Sequence, residues 1–104
     1  MNVLSTLTIG LNYGAPAGDN KGKQVPLVVA QKAIAEAMKA QSIDCYTIIE
    51  CKGYWQGEPE CSLRVEVVHN DAHAAVKAVA RMVKETLLQE AVLLVHSAVQ
   101  GELV

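Results

Sequence analysis

Apolar residues along this chain switch from period two to the helical period of about 3.6, and they do so twice in the same order. Val3, Ser5, Leu7, Ile9, Leu11 and Tyr13 alternate with Leu4, Thr6, Thr8, Gly10 and Asn12, which marks a strand with one apolar face. Between Leu27 and Gln41 the residues Leu27, Ala30, Ile34, Ala37 and Met38 recur at helical spacing, and Pro26 suits a first helical turn. Tyr46 to Ile49, within Asp44 to Lys52, are β-branched or aromatic and predict a second strand. Cys61, Leu63, Val65, Val67 and His69 alternate with Ser62, Arg64 and Glu66 and predict a third, so Gly53 to Glu60 reads as the hairpin connection. Asn70 and Asp71 are N-cap candidates for a second helix carrying the stripe Ala72, Val76, Val79, Val83 and Leu87. The apolar run Ala91 to Val99 is short enough for a last strand.

The order β-α-β-β-α-β over 104 residues predicts one α+β domain, 1–104, of the ferredoxin-like kind. Its four-stranded antiparallel sheet would carry both helices on one face. The other face would keep apolar residues from Leu4, Ile48 or Ile49, Val68, and Leu93 with Val95 or Val92 with Leu94. A patch of that kind exceeds what monomers usually expose, so a further copy of the chain is expected to cover it.

With a formal charge of −2 and a pI near 5.9, the chain offers no basic cluster for phosphate backbones, and no nucleic-acid partner is expected. No stretch approaches the roughly 18 consecutive apolar residues of a membrane span, and no basic leader precedes the first strand. A cytoplasmic protein without a membrane partner is the expectation. Cys45, Cys51 and Cys61 form no C-x-x-C pair and read as buried thiols, with Cys51 and Cys61 the one pair a hairpin could bring together.

Gly14 to Lys23 lies between a strand and a helix, where a phosphate cradle would sit. The P-loop spacing fails, because Gly18 is one residue too close to Gly22-Lys23 and Gln24 replaces the hydroxyl. The segment reads as a surface loop from which Lys21 and Lys23 could still meet an anionic ligand. His69 and His73 have the H-x-x-x-H spacing of a candidate metal pair; otherwise His69 ends a strand and His73 is an exposed first-turn residue. His96 reads either as a general base in an inter-subunit cavity or as a core histidine with a backbone partner. Glu58 and Glu60 could form a carboxylate pair or a solvated hairpin. Tyr54 and Trp55 are half of the aromatic residues, placed to brace an interface or line a pocket.

The element Tyr54-Trp55-x-Gly57-x-x-Glu60 resembles the hairpin of CutA proteins, which have a PII-like ferredoxin fold and form trimers. The chain is also similar to an uncharacterised ferredoxin-like family through its G-x-W hairpin and through Gln89-Glu90-Ala91-Val92-Leu93. The resemblance implies a non-enzymatic homo-oligomer, a trimer before a dimer, without a cofactor. A small ligand or partner would lie in inter-subunit clefts edged by Tyr54, Trp55, Glu58 and Glu60. The rival is a cofactor-independent enzyme of the dimeric α+β-barrel type using His96 or Tyr46. A third reading is a purely structural assembly module.

Overall fold

The computed structural model of the protein describes residues 2–104. Its elements are β1 (Val3–Gly10), α1 (Leu27–Ala40), β2 (Thr47–Trp55), β3 (Glu58–His69), α2 (His73–Thr86) and β4 (Leu93–Ala98), with a 3-10 segment at Ala15–Asn20. The strands form one antiparallel sheet in the order β2-β3-β1-β4. The expected ferredoxin-like α+β order is therefore the observed one.

Register explains which residues face the helices. Leu7 and Ile9 of β1 lie opposite Val65 and Leu63 of β3, and all four are fully buried. Ala30, Ala33, Ile34, Ala37 and Met38 of α1 and Val76, Val79, Ala80 and Val83 of α2 close over them. Burying such side chains contributes about 1.5–3 kcal/mol each before entropy is counted, so this layer holds the domain together.

Both helices end in the same way without glycine. Ser42 and Leu88 adopt left-handed φ values of 57° and 53°. The next amides then reach back, Ile43 N–H to Met38 O at 2.9 Å and Gln89 N–H to Lys84 O at 2.9 Å, the six-to-one bond of a Schellman motif. At the start of α2 the expectation fails. Neither Asn70 nor Asp71 caps it; the N-cap is Ala72, with no side-chain cap bond. Its amide donates to His69 Nδ1 at 2.9 Å, so the preceding strand occupies the capping role.

The hairpin is tighter than its composition suggests. Gln56 and Gly57 alone make the turn, with φ values of 51° and 82°, the positive pair of a type I′ connection. Tyr54, Trp55, Glu58 and Glu60 thus belong to strands rather than to a loop. Pro59 is tolerated because β1 pairs with β3 only from Ser62 onward, leaving this part of β3 without a second neighbour.

The cysteines also depart from expectation. Cys45 and Cys61 are exposed, Cys51 is half-buried, and all are free thiols. Cys45 lies in the connection before β2, while Cys61 sits where the hairpin outruns the sheet. Cys61 pairs with Lys52, so Cys51 falls on the opposite side of the ribbon and no bridge can form.

The face away from the helices carries Thr6, Thr8 and Gly10 of β1, Ile49 of β2, Arg64, Glu66 and Val68 of β3, and Leu93 and Val95 of β4. Ile49, Val68, Leu93 and Val95 are 40–61 % exposed. No helix is long and apolar enough to cross a membrane among the described residues.

Leu63→Ala should lower the unfolding free energy by about 2–5 kcal/mol in a urea titration, the cost of an unfilled core position. Ser42→Gly should raise it by about 1 kcal/mol, because glycine adopts the left-handed conformation without a Cβ penalty.

Candidate functional site

Where the sheet ends at Gly10, the β1 exit, the β2–β3 hairpin and the α2–β4 connection converge on a cleft of about 680 Å³. Each wall has a separate cause. The hairpin brings Tyr54, Trp55, Glu58 and Glu60, all bordering the cleft. Asn12, Tyr13 and Gly14 arrive from β1, tied down by backbone bonds from Tyr13 N–H to Lys23 O at 2.9 Å and from Gly14 N–H to Leu88 O at 2.9 Å.

The third wall depends on the left-handed Leu88. It turns Gln89 inward, where the side chain is buried and its amide donates to Asn12 O at 2.9 Å and to Leu87 O at 3.2 Å. Glu90 faces the cleft and its Oε1 accepts the Ala15 N–H at 3.3 Å. The lining sets three carboxylates, Glu58, Glu60 and Glu90, against one ammonium, Lys21. Such a cleft favours cations. The indole of Trp55, 47 % exposed at the cleft edge, adds a face on which an aromatic or cationic group could lie.

Lys23 is not brought into this site. It does not border the cleft, and its Nζ donates to Asn20 Oδ1 at 3.2 Å. Periodicity also overlooked several residues the structure adds, among them Gln89, Glu90, Asn12 and the glycines at positions 10 and 53. Gln89-Glu90 was visible as a short motif, but only the reversal at Leu88 turns it into a wall.

The histidines gather elsewhere, at the opposite end of β1. Ser5, fully buried, bonds His69 Nε2 at 2.7 Å and His96 Nδ1 at 2.6 Å. Because Ala72 N–H is given to His69 Nδ1, the neutral ring carries its proton on Nε2 and donates to Ser5 Oγ, whose hydroxyl then donates to His96. His73 lies edge-on to both rings, with centroids 5.1 Å from His69 and 4.6 Å from His96. Hydrogen bonds thus engage both nitrogens of His69, and no group of three or more His, Cys, Asp or Glu is placed to hold a metal among the described residues. His96 is exposed with a side-chain partner rather than a core residue with a backbone one. It shares the helix-bearing side of the sheet with Ser5, and Tyr46 packs against the core, so sheet-to-sheet pairing would enclose neither.

No family model and no curated protein matches the chain. Among solved structures it is similar to a phage SAM lyase in its apo state, with a TM-score of 0.69 and 20 % identity over 92 % of this chain and 79 % of that one. A phage SAM lyase in complex with S-methyl-5′-thioadenosine aligns with a TM-score of 0.61 and 18 % identity, covering 93 % and 81 %. CutA1 from Oryza sativa aligns with a TM-score of 0.50 and 14 % identity, covering 98 % and 84 %. These likenesses show a ferredoxin-type α+β fold, shared with CutA1 and the SAM lyase.

Burial, followed by the neighbouring His73 and His96, holds His69 below the ordinary imidazole range, with Asp71 opposing. The unfolded chain therefore binds the proton more readily, so the stabilisation is complete above about pH 6.5 and is lost as pH falls through the folded value. Urea unfolding across that range should show this slope, and His69→Gln should flatten it. Ser5→Ala should cost about 1–3 kcal/mol at neutral pH by leaving the His69 Nε2–H without its acceptor.

Proposed function

We propose that this protein is a homo-oligomer, a trimer, that binds a small cationic nucleoside in clefts walled by adjoining copies. One observation carries the reading: the acidic cleft is continuous with the uncovered apolar face, and Leu93 belongs to both. A copy seated on Ile49, Val68, Leu93 and Val95 would complete the outer wall of the cleft. Arg64 and Glu66 lie on that same face two residues apart, so the Arg64 of one copy can meet the Glu66 of the next.

The ligand class follows from the lining and from a neighbour. Excess carboxylate selects positive charge, and Trp55 offers a stacking face to a purine. A phage protein of similar fold is a SAM lyase, solved with S-methyl-5′-thioadenosine bound. S-adenosylmethionine joins the two features, a purine and a sulfonium cation, and is the ligand we assign to the cleft. Binding without turnover is the primary reading. The SAM lyase likeness favours a second, that a carbon–sulfur bond of the sulfonium breaks, the electron pair staying on sulfur to give S-methyl-5′-thioadenosine while the ligand's own carboxylate closes on the released carbon as a lactone.

Sedimentation equilibrium should give a trimer, and a monomer at micromolar concentration would refute the assembly. Calorimetric titration with S-adenosylmethionine should show saturable binding that Trp55→Ala weakens about tenfold, within the range lost when a stacking aromatic is removed. Absence of binding by the assembled protein rules out the ligand. Appearance of S-methyl-5′-thioadenosine by mass spectrometry would establish the second reading over the first.

A further inference from the structure

We infer that Glu60, laid on the floor of the cleft because Gly10 has no side chain, is the carboxylate that distinguishes a sulfonium ligand from its neutral thioether. The inference rests on the ligand reading above and adds the residue that sets specificity.

Register pairs Gly10 with Ser62 and Gly53 with Glu60. Each polar side chain of β3 then leans toward the glycine diagonal to it. A Cβ on Gly10 would lie 2.6 Å from Glu60 Cδ and 2.8 Å from its Oε2, and one on Gly53 would lie 2.6 Å from Ser62 Oγ. Neither glycine is among the residues with positive φ, so space rather than backbone conformation demands glycine here. The hollow at Gly10 is filled by the Glu60 carboxylate.

That carboxylate is fixed from the far side as well. Its Oε2 accepts the Asn12 N–H at 3.2 Å, which ties β3 to the β1 exit. Oε1 is the atom nearest that Cβ position, lying over Gly10, which itself lines the cleft, and among the described residues it takes no hydrogen bond. The other two carboxylates are placed differently: Glu58 is exposed beside the hairpin turn, and exposed Glu90 accepts from Ala15. Glu60 is half-buried, and a charge removed from bulk water is screened less. Its field therefore dominates at the floor. A sulfonium and a thioether differ by a methyl group and one positive charge, so a fixed carboxylate separates them through the charge.

Calorimetric titration with S-adenosylmethionine and S-adenosylhomocysteine, which share every group but that methyl and its charge, tests the inference. Wild-type protein should prefer the sulfonium. Glu60→Gln should reduce that preference about fivefold, the upper range for a partly exposed charge pair. Gly10→Ala should reduce it equally by displacing the carboxylate, and the two changes combined should cost no more than either alone. Without ligand, amide exchange should quicken at Asn12 in Gly10→Ala and Glu60→Ala. Leu11 and Tyr13, bonded to Cys61 O and Lys23 O, should keep their protection and so report an intact fold. Unchanged preference in Glu60→Gln, additive losses in the double variant, or a still-protected Asn12 in Gly10→Ala would overturn the inference. If the wild-type protein binds neither nucleoside, the ligand reading and the discrimination fall together, and Asn12 exchange still decides whether Gly10 places Glu60.

Discussion

Burial of the sheet on one side alone governs the molecule. Leu7 and Ile9 are matched in register to Val65 and Leu63, and the apolar stripes of both helices are spent on that single layer. A shift of one residue between β1 and β3 would turn one strand's apolar set outward and bring either Thr8 or Arg64 into the core. The same register decides what the opposite face presents, including the diagonal placement of Glu60 and Ser62 beside glycines. Packing and the candidate site are therefore two results of one pairing.

The cleft is built from segments distant in sequence, and each is held by bonds that regular structure does not supply. Asn12 is engaged twice, through its N–H by Glu60 from β3 and through its carbonyl by Gln89 from the α2–β4 connection. The histidine group at the far end of β1 plays a comparable joining part, since Ser5 connects β3 to β4 and His69 holds the first turn of α2. Polar bridges of this kind hold position where apolar contact alone would permit sliding.

Element order and the buried faces of β1, β3 and both helices were legible because binary patterning carries them directly. Leu7, Ile9, Val76, Val79 and Val83 occupy the side that their spacing assigns. Tyr54, Trp55, Glu58 and Glu60 stand out in sequence because aromatics and carboxylates are concentrated beside Gly57 in a chain with few aromatic residues, and all four border the cleft, as does Lys21 from the separate loop after β1. Illegible features depended on three-dimensional coincidence. Gly10 resembles any strand glycine until β3 is laid beside it. Lys23 is close to Lys21 in sequence, yet it turns to Asn20. Asn70 and Asp71 have the right chemistry for a cap, but a histidine from the preceding strand reaches the amide of Ala72 instead. Leu88 gives no sign in sequence that it will reverse the chain, because the left-handed conformation is rarely chosen by leucine.

The hairpin outruns the pairing that supports it. The β1 ladder stops at Ser62, and beyond it the ribbon from Lys52 to Trp55 and back from Glu58 to Cys61 is tied to the β1 exit through the Leu11 N–H bond to Cys61 O and the Asn12 N–H bond to Glu60 Oε2. Mechanically this is a cantilever, anchored at its root and loaded at its tip by the aromatic residues. By leverage, a rotation at the root would carry Trp55 farther than Glu60, so the angle of the arm and the width of the cleft are one quantity.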